Sequence, residues 1–370
     1  MFHFSQGKYT RQAHKGIPEG CVEEEQGRRG FFGPVSHLIR KKPSTRWKTI
    51  DGELKPRMFD LVKTEHNGKL QRLFYNHDIA LYNQWVKPSA NKNGKELKAF
   101  RNADGDSIYF CHIGSGKILT EYGILTYRPG DYILLPKCIA HVILPKEESQ
   151  FFVIENLGGD FREPDRGIAG RNAVYDTAQI NPPSLDELHA YFKESGETCL
   201  HVEVKHNNER TNFQYEENIF DVIGWKGDFF PFSLNMDQIM PLMSHRAHLP
   251  PSAHTTFVAP NFVVCSFVPR PLESDADALK VPFYHQNIDY DEILFYHNGD
   301  FFSRSNLHSG MLSFHPAGFP HGPHPKAMEK IVGKTHTNEY AVMVDTRRPL
   351  QRDSSLDKLE LSDYWKSWQT

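Results

Sequence analysis

Along most of the chain, apolar residues come in short runs bounded by glycine, proline, asparagine or aspartate, the pattern of strands separated by turns. Segments 106–112, 117–121, 132–135, 141–144, 151–155, 262–268 and 341–344 read as strands. One stretch changes period. In NPPSLDELHAYFKESG, Ser184 and Glu187 form a capping box behind a proline pair and Gly196 supplies the stop, so a helix is expected between them. The tail SSLDKLELSDYWKSW (354–368) reads as a second helix, or as an extended arm anchored by two tryptophans. The stretch GGDFREPDRGIAGRN (158–172) reads as loop. The expected class is all-β, divided into an N-terminal arm with a first β unit (1–157), a connecting segment with one helix (158–215), a second β unit (216–350) and a tail (351–370).

A repeat supports two units. Asn102, Asp104 and Asp106 recur as Asn287, Asp289 and Asp291, an offset of 185 that Gly114 and Gly299 share. The series Gly130, Pro136, His141 recurs as Gly310, Pro316, His321 at an offset of 180. The copies differ in one respect: where the second has His285 and Glu292, the first has Phe100 and Ser107. Asp289 and Asp291 read as turn residues, because their twins persist in the copy that lacks those two side chains.

Composition narrows the classes. The chain has 370 residues and a formal net charge of −3, with no basic face to suggest nucleic acid. No apolar run is long enough to span a membrane, and the start MFHFSQGKYTRQAHKG lacks the apolar core of a secretory signal. Five scattered cysteines without a CxxC pair indicate reduced thiols, a cytoplasmic setting and no zinc ribbon. Seven of the 20 histidines lie between His285 and His336, and that crowding points to a site.

The second copy reads His285-x-Asn287-x4-Glu292-x6-Gly299, then Gly310-x5-Pro316-x-Gly318-x2-His321. These segments resemble the paired motifs of the cupin superfamily, with asparagine in place of the usual second histidine. The resemblance implies two jelly-roll β-barrels in one chain, with a few short helices, and a mouth where His285, Glu292 and His321 converge on one ion. Two imidazoles and a carboxylate form a facial triad, which suits Fe(II) and oxygen chemistry, although zinc and manganese accept the same donors. His141, alone in its copy, reads as structural, and His297 and His336 carry no assignment.

The surrounding segments VPFYHQNIDYDEILFYHNGDFFSR, HPAGFPHGPHP and YAVMVDTRRPL, with RQAHKGIPEG and GFFGPVSHL near the start, resemble the homogentisate 1,2-dioxygenase family in its shorter bacterial form. The resemblance implies a mononuclear Fe(2+) enzyme of tyrosine and phenylalanine breakdown. It would use O2 to open 2,5-dihydroxyphenylacetate, a small aromatic acid, to maleylacetoacetate. It implies His285, Glu292 and His321 as metal ligands and His315 at the substrate and oxygen side. It also implies a histidine base, for which HLPPSAHTTF offers His248 first and His254 second. Arg304 is a candidate partner for the substrate carboxylate. By the same analogy the chain forms a homohexamer. Two positions depart from the family: Phe283 and Phe301 stand where substrate-contacting tyrosines are usual, and the glutamate sits one residue farther from the first histidine. Those departures leave open a related acid such as gentisate, or a non-oxygenase metal-binding cupin, an isomerase or small-acid binder.

If the first copy is structural, His141→Gln leaves metal content unchanged while His321→Gln removes the ion. Elemental analysis of the two purified variants checks this, and equal losses would reverse the assignment of the two copies.

Overall fold

The computed structural model describes residues 2–89, 96–280, 282–301, 307–325 and 333–369. Strands form at all seven expected segments, and the helix Leu185–Ser195 forms where its caps place it. Ser184 accepts from the Glu187 N–H, and Gly196 takes the left-handed conformation that ends the helix. The tail is neither a helix nor an extended arm. It makes two short 3-10 turns, Ser354–Leu359 and Tyr364–Trp368, because an isolated bridge between Glu360 and Phe59 holds the chain extended between them. Trp368 is buried and Trp365 half-buried. No helix among the described residues is long and apolar enough to cross a membrane.

Two β units lie face to face. In the first, a seven-stranded sheet centred on Asp106–Ile113 and Ser149–Asn156 faces a six-stranded sheet that includes Glu96–Asn102 and Ala140–Pro145. Thr198–His206 pairs in parallel with Glu96–Asn102, so residues of the connecting segment extend that sheet. In the second unit, a six-stranded sheet centred on Asp291–Gly299 and Glu339–Thr346 stands beside a small sheet of Tyr284–Asn287, Val22–Gly27 and Val35–Arg40. The units exchange edges. Arg57–Asp60 closes the second unit's sheet against Met311–His315, and Gln351–Arg352 pairs with Gln71–Tyr75 of the first.

The run Ile293-Leu294-Phe295-Tyr296 is apolar on both faces because both faces are buried, each against a different core. Ile293 and Phe295 join the core shared between the units, while Leu294 and Tyr296 line the interior of their own. Ile108 and Phe110 follow the same rule in the first unit, with Tyr109 and Cys111 turned inward. Phe295 stacks on Phe152 at 4.9 Å, sealing the seam.

The repeat is visible as symmetry across this seam. His112 and His297, one repeat apart, meet there with their Nδ1 atoms 2.8 Å apart. Burial holds both neutral, with His112 down to about 3 and His297 to about 4, so one ring donates and the other accepts. Gly130 and Gly310 share a positive φ, 88° and 86°, that side chains other than glycine rarely adopt. Asp106 accepts from the Lys137 and Phe161 N–H groups, and Asp291 accepts from those of Ala317 and Leu350. These aspartates are turn clamps in both copies.

Removing such a clamp leaves two N–H groups without their acceptor. Asp106→Ala should lower unfolding stability by about 2 kcal/mol, read from the denaturant midpoint, without changing metal content. An unchanged midpoint would mean that water replaces the clamp at no cost.

Candidate metal centre

Asp291 also explains the spacing of the second motif. Its clamp on Ala317 fixes the turn that begins at Pro316, and Gly318, at φ 73°, donates to the Asn287 carbonyl at 2.8 Å. His321 is thereby set opposite His285, and the two backbones exchange a pair of 2.8 Å hydrogen bonds. Glu292 follows Asp291 and faces the barrel interior with Leu294 and Tyr296, two and four residues on.

Donor atoms of His285, Glu292 and His321 lie within 4.8 Å of one another, all buried. The imidazoles are held in the tautomer a metal requires. His285 Nδ1 is 3.1 Å from the Phe283 carbonyl and His321 Nδ1 is 3.0 Å from that of Phe319, so both N–H groups are spent on the backbone and each Nε2 lone pair faces inward. Glu292 Oε2 is 3.8 Å from His285 Nε2 and 3.4 Å from His321 Nε2. His285 Nε2 is buried without a hydrogen-bond partner, which is costly unless an ion uses the lone pair.

Electrostatics agree with a cation between these groups. Burial opposes the Glu292 charge, but the neighbouring His321, with His285 and the hydrogen-bonded His315, outweighs it and holds the carboxyl well below the usual range. Burial and the neighbouring His285 lower His321 against the pull of Glu292, keeping it neutral as a ligand must be. Asp345, opposite Glu292 on the next strand, is pushed well above the usual carboxylate range by burial and by the Glu292 charge. The carboxyls therefore divide the labour, one ionised and one protonated.

The centre opens on a cavity of about 100 Å³ whose wall includes His285, Glu292, Phe283, His248, His254 and Arg270. His248 Nδ1 is 2.9 Å from Glu273 Oε1 and 3.2 Å from Arg270 Nη2, a buried cluster that engages Nδ1 rather than Nε2. Burial lowers the His248 pKa while Glu273 opposes the fall. His254 has no such partner: its Nδ1 makes no hydrogen bond, and burial with the nearby Arg270 charge lowers it to about 3. The Arg270 guanidinium also reaches Glu273, at 3.2 Å.

Other expected residues lie elsewhere. His315 stands behind Glu292 and away from the cavity, with Nδ1 at 2.7 Å from Glu292 Oε1 and Nε2 at 3.3 Å from the Tyr364 hydroxyl. With both nitrogens so engaged, it orients the carboxylate. Phe301 packs edge-on against Tyr296 at 5.1 Å in the core, so of the two phenylalanines only Phe283 lines the cavity. Arg304 lies outside the described residues. His141 is buried between Phe100 and Tyr109, and burial keeps it neutral, lowered to about 4. Sequence reading missed Glu273, Arg270, Asp345 and Tyr364. Only the closeness of Arg270 and Glu273 to HLPPSAHTTF could have hinted at the first two.

A family profile described as homogentisate 1,2-dioxygenase N-terminal matches residues 39–236, a region that ends before the triad. A provisionally named dioxygenase of Saccharolobus solfataricus is 29% identical over 390 aligned residues, covering 100% of both chains. The homogentisate 1,2-dioxygenase of Rhizobium leguminosarum bv. trifolii is 29% identical over 291 residues, 73% of this chain and 62% of that one. The chain thus spans less than two thirds of that relative's length. Among solved structures, a variant oxalate decarboxylase of Bacillus subtilis aligns over 84% of this chain and 81% of its own, with 14% identity and a TM-score of 0.36.

His254 gives a pH signature. Its folded pKa of about 3 lies below the ordinary value of 6.5, so the unfolded chain binds the proton first as pH falls. The stability is whole above 6.5 and drains away between there and 3. Between pH 7 and pH 5, His254→Leu should lose about 2 kcal/mol less stability than the parent, measured by denaturant unfolding at each pH. Parallel curves would show that His254 is protonated in the folded protein.

Proposed function

The chain belongs to the homogentisate 1,2-dioxygenase family, and from that premise we propose that it is a ring-cleaving dioxygenase for a hydroquinone bearing a carboxylate side chain, 2,5-dihydroxyphenylacetate first. The observation that carries this reading is the meeting of His285, Glu292 and His321 at one end of a cavity that also holds a histidine–glutamate pair and an arginine.

The donor set fits ferrous iron: two imidazole nitrogens and one carboxylate, with the other ring nitrogens already held and one Nε2 left without a partner. Ferrous iron held there would supply Lewis acidity toward substrate oxygens and an electron path between the ring and O2. His315 donates to Glu292 Oε1, leaving Oε2 on the side of the two Nε2 atoms. His248 takes the phenolic proton at Nε2, and Glu273, accepting from Nδ1–H, stabilises the imidazolium that results. Arg270 places a fixed positive charge on the cavity wall for the substrate carboxylate, the role first sought in Arg304. Phe283 offers an apolar face to the ring and keeps water from the reacting edge.

Oxygen-electrode assays on protein loaded anaerobically with Fe(II) test the reading. The highest kcat/KM is expected for 2,5-dihydroxyphenylacetate, ahead of gentisate and unsubstituted hydroquinone; a higher value for gentisate would move the substrate assignment. His248→Ala should slow turnover by about 10²–10⁴-fold with iron retained, and His254→Ala should do less. A larger drop at His254 with iron intact would exchange the two roles.

A further inference from the structure

A second group of two histidines and a glutamate lies outside the cavity. The strand Val22–Gly27 carries three consecutive buried glutamates, an arrangement that alternation along a strand would place on opposite faces. Glu24 is paired: its carboxylate meets Arg40 at 3.1 Å. Glu23 and Glu25 turn instead to His14 and His37, with no lysine or arginine among their ion-pair partners in the described residues.

The donor clustering parallels that of the first group. Donor atoms of His14, Glu23 and His37 lie within 4.8 Å of one another. His14 Nε2 is hydrogen-bonded to Glu25 Oε2 at 3.1 Å, which spends that nitrogen on a carboxylate and leaves Nδ1 as the lone pair. The Nδ1 atoms of His14 and His37 are both buried and make no hydrogen bond, although they stand 3.2 and 3.5 Å from the two oxygens of Glu23. Atoms at that distance but off the donor axis are poorly placed as donor and acceptor. They suit ligands of one ion, since metal–ligand bonds near 2.0–2.1 Å in a tetrahedron separate ligands by about 3.3 Å. His14 is 2% exposed and Glu23 2%, so a charge left there without a counter-ion is out of reach of bulk water.

We propose that His14 Nδ1, His37 Nδ1 and the Glu23 carboxylate form a second site for a divalent transition-metal ion such as Zn(II), with Glu25 orienting His14. The ion ties the loop around residue 14 to the hairpin of Val22–Gly27 and Val35–Arg40. It thereby reaches the cavity, because the His14 ring stacks on Phe283 at 4.2 Å, and Phe283 lines the cavity two residues before His285. The ion has a structural role and undergoes no chemistry.

Without an ion, the cluster has another way to balance charge: burial opposes it, but the two glutamates can hold His14 protonated, with its pKa raised to about 9. Metal counting separates the two states. Protein stripped of metal, saturated with Zn(II) and passed through gel filtration is assayed by elemental analysis as wild type, Glu292→Ala, His37→Gln and the double variant. His37 is partly exposed, so its substitution leaves the fold intact, and circular dichroism checks this. The expected counts per chain are two, one, one and none. A wild type that binds one ion and loses it with Glu292→Ala overturns the proposal, as does a His37→Gln protein that still binds two. One ion that survives Glu292→Ala and is lost with His37→Gln upholds the second site and removes the triad instead.

Discussion

An ionised carboxylate in a dry barrel is the constraint to which the active unit is fitted. Glu292 is buried, and such a charge is tolerated only if every neighbour answers it. Three histidines do so: His285 and His321 from two segments that bridge each other, and His315 from the strand paired with that of Glu292. Asp345 answers by keeping its proton. Tyr364, from the last turn of the tail, completes the chain by meeting His315. A metal would be the remaining member, since two imidazoles with their N–H groups spent elsewhere aim lone pairs at a carboxylate at little cost when a cation lies between.

Duplication supplies the stiffness this arrangement needs. Both central strands are buried on both faces, so neither can slip by one residue without carrying an interior side chain into the seam. The first copy keeps the clamp at Asp106, the glycine turn and the histidine, but has a phenyl ring and a hydroxyl where the second has His285 and Glu292. It braces the second copy through the shared core and the His112–His297 contact.

What the sequence made legible was whatever repeats or is local. Strands announce themselves as short apolar runs between turn residues, the helix by its caps, and the triad by a spacing that folds two short motifs onto adjacent segments. Contacts between distant residues left no such trace. His315 and Tyr364 are far apart in the chain, and no local rule joins them. Phe301 stands where the family resemblance implies a substrate-contacting residue, yet the chain turns its ring into the core against Tyr296. The tail failed as a helix because a strand near residue 59 pairs with Glu360, a partner invisible to periodicity. The glutamates of VEEEQG would ordinarily be read as a solvated charge run, and only the fold buries them.

The exchanged edges bear on how the molecule is born. Arg57–Asp60 leaves the ribosome early but waits for Met311–His315 to close its sheet, while Gln351–Arg352 must return to Gln71–Tyr75 of a sheet made long before. Neither unit can finish until nearly the whole chain is available, which makes assembly a single late event dominated by long-range pairing. A nascent chain stalled before residue 311 would carry an unpaired edge strand that chaperones must shield. The same interlock means that fraying at either exchanged edge reaches the other unit, so proteolysis should find one cooperative body where the repeat suggests two.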